Sequence, residues 1–326
     1  MSNLESSNQP VATRRKLVDK PSAKGDRIFF GIARAAAYSS ILLVAMVLFF
    51  LALRAYPTFQ SQGINFIFGS KWDPQGKHVM QIFPMLWGSI LISAIGAVLA
   101  VPMALALAYF IEFMAPARIA RFATSVVDLL AALPSVVIGL WGFLVFTPIA
   151  VDWAKTLNKY LGFIPIFTNK SHTFAGSPFI AGWIVAVMIV PIITSVTREI
   201  FSQVDKDLIN AATGLGAGKA SVFSKVILPT ASGGVIGGVL LGIGRALGET
   251  VAIYFVLTLT MDTNWYQILE GHGGSIASFI VAQMGEAGDK VVSALMAGGV
   301  ILFVVSLILN FAANSIVARS RAKRGM

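Results

Sequence analysis

Long apolar runs alternate with shorter polar stretches along the chain, and the runs set the spacing of everything else. Each reaches the ~20 residues that a helix needs to cross a hydrocarbon core. The first covers 28–53 and is closed by Arg54 and by Tyr56-Pro57. The second, 81–113, is longer than one crossing requires, and Pro84 and Pro102 predict a tilted or kinked helix. The third, 124–149, contains Leu133-Pro134-Ser135, so its backbone is expected to break locally. The fourth is 178–197, the fifth 226–260 and the sixth 290–316. Between them, 57–79, 150–177 and 261–288 read as surface loops on one side, the last carrying an apolar patch, 276–284, suited to re-entering the membrane.

One interruption has internal order. In 201–229, Val204, Leu208, Ala211, Ala212 and Leu215 recur at helical spacing. Asp205 and Asp207 stand where a helix N-terminus favours carboxylates, and Gly214, Gly216 and Gly218 end the pattern. The spacing predicts a short amphipathic helix and a glycine turn. Gly218-Lys219 invites comparison with a phosphate-binding loop, but Thr213 occupies the first glycine position and Ala220 the Ser/Thr position. Nucleotide hydrolysis is therefore assigned to another polypeptide.

Composition narrows the class. With 56% hydrophobic and 12% charged residues, the chain has too little polar surface for a soluble domain of its length. It reads as an all-α integral membrane protein. The formal charge of +10 does not point to nucleic acid, because lysines and arginines concentrate in the tails 1–27 and 319–326 and in 114–123 and 198–225. That bias places both termini in the cytoplasm around a transmembrane region, 28–318. The chain has no cysteine, and His78, His172 and His272 stand apart in sequence, so no metal site is expected.

The fifth run concentrates the candidate chemistry. On a continuous helix, Gly234, Gly238, Gly242, Arg245 and Glu249 share one face. Small residues at that spacing let membrane helices approach closely. An arginine at membrane depth costs about 2.5–3.5 kcal/mol, so Arg245 must face protein or water, with Glu249 one turn away to neutralise it. The pair reads either as a structural ion pair or as part of an anion pathway. Asp128 and Ser135 in the third run are further polar candidates for a pathway, and a structural role for Asp128 is the competing account.

Two groups of residues then resemble a known family. Ala211-Ala212, Gly214, Gly216-Ala217, Phe223 and Ile227-Leu228-Pro229 are similar to the cytoplasmic "EAA" loop of ABC importer permeases, with Asn210 in place of the usual Glu. Gly244-Arg245-Ala246-Leu247-Gly248-Glu249-Thr250 resembles the signature of permeases in the high-affinity phosphate importer. Leu129 to Val137 and Gly139-Leu140-Trp141-Gly142 agree with its PstC-type branch. The resemblance implies a six-span permease of the type I importer kind in the bacterial inner membrane, with 201–225 as its coupling loop. It also implies a PstA-type permease partner, a PstB-type ATPase dimer holding ATP and Mg, and a PstS-type external phosphate-binding protein. An ion-coupled secondary transporter of an inorganic anion is the rival reading, and a membrane enzyme lacks any visible nucleophile–base pair.

Overall fold

The computed structural model describes residues 24–285 and 287–323. Most of the basic tail 1–27 and the end of the tail 319–326 lie outside them. The chain divides into two compact units, Met1–Phe50 and Leu51–Met326. The described part of the first is helical, and Ser39 and Ser40 return their hydroxyls to the Ala36 carbonyl at 3.0 and 2.9 Å. These two hydroxyls are thus satisfied within the helix, as a membrane interior requires.

Among the described residues, six helical stretches are long and apolar enough to cross a membrane: Gly25–Gln62, Phe83–Met114, Ser135–Leu161, Pro178–Ser202, Lys219–Leu247 and Asp289–Ala312. Helix α1 (Lys24–Gln62) does not stop at Pro57 as the sequence predicts. Its last turns are held by packing: Phe59 meets Phe66 of α2 (Asn65–Phe68) edge-on at 5.7 Å, and Thr58 shares a buried 2.8 Å hydrogen bond with Ser293. Those contacts outweigh the one backbone bond that proline removes. A minimal hairpin, β1 (Trp72–Asp73) with β2 (Val79–Met80), follows. Its turn is tied by the Asp73 carboxylate, which accepts from the Lys77 and Gly76 N–H groups at 3.0 and 2.8 Å, and these hold the carboxyl below its ordinary pKa.

The third span is displaced from its predicted position. Helix α4 (Ala117–Ala132) is a separate rod, and the crossing begins with α5 (Ser135–Trp141), passes a π turn at 142–146, and continues through α6 (Thr147–Leu161). The cause is Pro134, which forces Leu133 into extended backbone (φ −64°, ψ 132°) and stops α4. A similar joint precedes α4, where Ala115 and Pro116 are extended with ψ 138° and 149°. Polar residues read as a loop after 150 are one face of α6, where Lys155 pairs with Asp152 at 3.1 Å.

Helices α3 (Phe83–Tyr109) and α7 (Pro178–Ser202) form the centre of the second unit, with α10 (Leu228–Leu247) laid along α7. The fit rests on absent side chains. A Cβ on Gly182 would lie 2.4 Å from Ile95, and one on Gly96 would lie 2.8 Å from Val185. At one end of the spans, Phe66, Met80, Ile82, Met85, Phe279 and Leu295 form a core joining the hairpin to α12 (Ile276–Met284) and α13 (Asp289–Lys323). At nine residues, α12 is too short to cross. At the other end, Phe201, Val204, Val222 and Ile227 gather the last turns of α3 and α7 with the start of the fifth span.

Candidate coupling and translocation sites

Helix α8 (Lys206–Gly214) sits on that second core. Asp205 caps it, its carboxylate accepting from the Asp207 N–H at 2.9 Å. The C-terminus closes as a Schellman turn: Ala217 N–H donates to the Ala212 carbonyl at 3.1 Å and Gly216 N–H to the Thr213 carbonyl at 2.9 Å. Gly216 has φ +84°, the left-handed conformation that a side chain resists. Gly214 and Gly218 face open space. The predicted apolar stripe divides in two. Val204 and Ala212 pack on the core, joined there by Ile209 and Ala217 from outside the stripe, whereas Leu208 (48% exposed), Ala211 and Leu215 (90% exposed) are left uncovered. Asn210 is exposed on the same short helix.

An aromatic cluster ties this base to the spans. Phe223, in the turn between α9 (Lys219–Val222) and α10, lies 4.6 Å from Tyr109 of α3 and 6.2 Å from Phe201 of α7. Phe113 completes the set at 5.5 Å from Tyr109 and 6.1 Å from Phe201. Edge and tilted contacts of this kind add about 0.5–1.5 kcal/mol beyond area burial. The cluster thus joins the ends of three membrane helices beside the core on which α8 rests.

The fifth span departs from the continuous helix assumed from sequence. Helix α10 ends at Leu247, Gly248 follows, and α11 (Val251–Val256) starts anew. Glu249 is in the break, 8% exposed, with its Oε1 accepting from the Ala252 N–H at 3.3 Å. It acts as a cap for α11. Arg245 remains on α10 and is exposed, lining an open cleft of about 430 Å³ with Ile192, Leu240, Leu241, Gly244 and Asn310. No ion pair joins Arg245 to Glu249 among the described residues. The expected geometry of a neutralising pair is thus corrected: the helix break turns Glu249 inward while Arg245 stays on the cleft.

The glycines of α10 do meet a neighbour. A Cβ on Gly234 would approach Ile200 to 2.6 Å, on Gly238 Val196 to 3.0 Å, and on Gly242 Ile193 to 2.7 Å, all on α7. In the motif 139–142, a Cβ on Gly139 would strike the Ala252 backbone of α11 at 2.6 Å, and one on Gly142 would strike Ile184 at the same distance. Asp128, on α4, accepts a 3.4 Å hydrogen bond from Ser195, and Arg198 donates to Thr124 one turn along. Ser135 opens α5. No hydrogen bond or ion pair among the described residues links Asp128 or Ser135 to Arg245 or Glu249. The hydroxyl–guanidinium contact of Thr124 with Arg198 escaped sequence reading, and its signal was a polar residue at each turn of an otherwise apolar helix pair.

Residues 100–322 match the family described as binding-protein-dependent transport system inner membrane component. The chain belongs to that family. Within it, the chain is 35% identical over 302 residues to the phosphate transport system permease protein PstC 2 of Mycobacterium tuberculosis, covering 91% of this chain and 93% of that one. It is 33% identical to PstC of Pasteurella multocida with the same coverage, and 31% identical to PstC of Mesorhizobium japonicum over the whole of both. Among solved structures, a bacterial alginate ABC transporter in complex with an alginate pentasaccharide-bound periplasmic protein superposes with TM-score 0.53, over 90% of this chain and 98% of that one. The inward-facing MetNI methionine ABC transporter gives 0.50 over 73% and 94%. At 16% and 17% identity these two speak for the fold alone. This inner membrane component is an all-α, six-span permease subunit of an ABC importer.

Proposed function

We propose that this permease forms half of the translocation pathway of an ATP-driven importer of inorganic phosphate. The observation that carries the reading is the likeness, over nearly the whole chain, to relatives named phosphate transport system permease protein PstC. In this reading the chain pairs with a PstA-type permease, a PstS-type external protein delivers phosphate, and ATP and Mg are bound by a PstB-type ATPase dimer. Both termini and α8 then face the cytoplasm.

The ATPase engages residues 204–218. The uncovered Leu208, Ala211 and Leu215 support this, because they leave an apolar face on a helix whose other face is already anchored. Motion of α8 passes through the Tyr109–Phe113–Phe201–Phe223 cluster to α3, α7 and α10. Arg245 meets the passing anion from the cleft, where a guanidinium suits bidentate oxyanion contacts. Glu249 keeps the α10–α11 break in shape. Asp128 and Ser135 belong to the pathway only through the elements they begin or brace.

Phosphate uptake by the reconstituted complex tests this. Arg245→Gln is expected to lower uptake by about tenfold or more with the complex still assembled, and Arg245→Lys to recover only part of it. Glu249→Gln keeps an acceptor for the Ala252 N–H and is expected to cost less than Glu249→Leu, which leaves that buried donor orphaned at about 1–3 kcal/mol. Normal uptake by the assembled Arg245→Gln complex would remove Arg245 from the pathway. Uptake by this chain alone in liposomes would favour the ion-coupled reading, and equal uptake of sulfate would widen the substrate to oxyanions.

A further inference from the structure

At the end of the spans opposite α8, two adjoining cavities share a pair of basic side chains. The smaller, about 210 Å³, is lined by Pro57, Thr58, Ser61, His78, Met80, Lys290 and Ser293. The larger, about 400 Å³, is bounded by Gln75, Gln283, Asp289, and again His78 and Lys290. Both are built features. Thr58 and Ser293, 3% and 8% exposed, join their hydroxyls at 2.8 Å beside the smaller cavity. His78 is fixed at the rim by its neighbours: Gln62 donates to its carbonyl at 3.3 Å, and the same Gln62 accepts from the Met80 N–H at 3.0 Å. His78 also has φ +53°, a conformation a residue with a side chain keeps only where its surroundings impose it. Its Nδ1 faces the Pro74 carbonyl at 2.8 Å and so donates, which leaves Nε2 for another partner.

Charges of both signs border the larger cavity, and only basic side chains border the smaller. Lys290 has no ion-pair partner among the described residues and borders both, whereas the Asp289 carboxylate borders only the larger. A ligand spanning the two meets an ammonium and hydroxyls at one end and a carboxylate with two amide side chains at the other. The place in the fold limits the candidates further. Asp289 opens the sixth span and Pro57–Ser61 belongs to the last turns of the first, so the cavities are at the level where hydrocarbon gives way to headgroups. Their walls include the apolar Pro57, Met80 and Val291, suited to the carbons of a glycerol backbone.

We propose that this double cavity holds the headgroup of a phospholipid that carries both a phosphate and a primary ammonium, the phosphate at Lys290 and the hydroxyl pair, the ammonium at Asp289. The shared chemistry with free phosphate is the Lys290 end; the Asp289 end distinguishes them. Native mass spectrometry of the assembled complex, exchanged into phosphatidylethanolamine, phosphatidylcholine or phosphatidylglycerol, reads the site directly. Phosphatidylethanolamine is expected to be retained about fivefold more than either other lipid, since only it offers N–H donors to Asp289 together with a phosphate. Lys290→Gln is expected to lower that retention about fivefold, and Asp289→Asn to erase the preference over phosphatidylglycerol. Both side chains are exposed, so neither change threatens folding. Soluble phosphoethanolamine is expected to displace the lipid and inorganic phosphate not to. Equal retention of the three lipids, unchanged retention in Lys290→Gln, or displacement by inorganic phosphate at the same concentration would each overturn the assignment, the last by making the site one for free phosphate.

Discussion

Glycine carries out two different tasks in α10 and in the turn after α8, and the contrast separates what the chain needs for itself from what it leaves for others. Along α10, Gly234, Gly238 and Gly242 each stand where a Cβ would press into α7. Their requirement is internal, and the structure contains its full explanation. In the turn, only Gly216 is demanded by the backbone, through its positive φ. Gly214 and Gly218 have nothing within 4 Å of a Cβ position. Nothing inside the chain crowds these two positions, and in the proposed reading they belong to the surface that meets the ATPase.

Substitutions can break the contrast. The largest effect is expected for Gly242→Leu, where a side chain would have to displace Ile193 from 2.7 Å and then Ile189. Overpacking of this kind costs about 1–3 kcal/mol or more, and loss of monodisperse protein and a lowered unfolding temperature would register it. Next comes Gly216→Val, a β-branched residue forced to φ +84°, at about 1–3 kcal/mol. Faster hydrogen exchange confined to α8 and the following turn checks it, and Gly216→Asn, which tolerates that conformation, is expected to be milder. The smallest effect on stability, with the opposite sign, belongs to Gly214→Ala. Gly214 closes a helix in open space, so alanine is expected to gain up to about 1 kcal/mol. If that surface docks on the ATPase, the same variant loses coupled uptake while its unfolding temperature rises or holds. A variant that is both more stable and fully active would abolish the distinction between the two groups of glycines.

Much of the fold was legible because membrane crossings are written in long apolar runs, and all six appear. The amphipathic helix, its Asp205 cap and its glycine turn were legible because each is a local motif whose residues touch one another. The errors fell where a local signal had to be weighed against packing. Pro57 reads as a stop, yet Thr58 and Phe59 find partners that hold the helix to Gln62. The third run starts too early in the sequence reading because α4 carries apolar residues without crossing, and Pro134 reads there as a local break within the span and not as its boundary. At Arg245 and Glu249, the shared face holds only for a continuous helix, and α10 ends two residues before Glu249. Gly248 followed by an acidic residue and Thr250 was the available signal, that of one helix closing and another being capped.

The two proline joints that flank α4 have a mechanical consequence. Because Ala115-Pro116 and Leu133-Pro134 are already extended, the rod between them can swing by adjusting a few backbone dihedrals, with no helical hydrogen bond broken. Sixteen residues make a lever of about 24 Å, so a tilt of about 10° at one joint carries the far end about 4 Å. The swing is resisted by the packing of α4 on α7 and by two polar contacts, Ser195 to Asp128 and Arg198 to Thr124, the latter together worth a few kcal/mol by the usual scale of such bonds. Rewinding a helix would need far more. The strut is thus rigid along its length and jointed at its ends, the arrangement by which a small push is turned into travel.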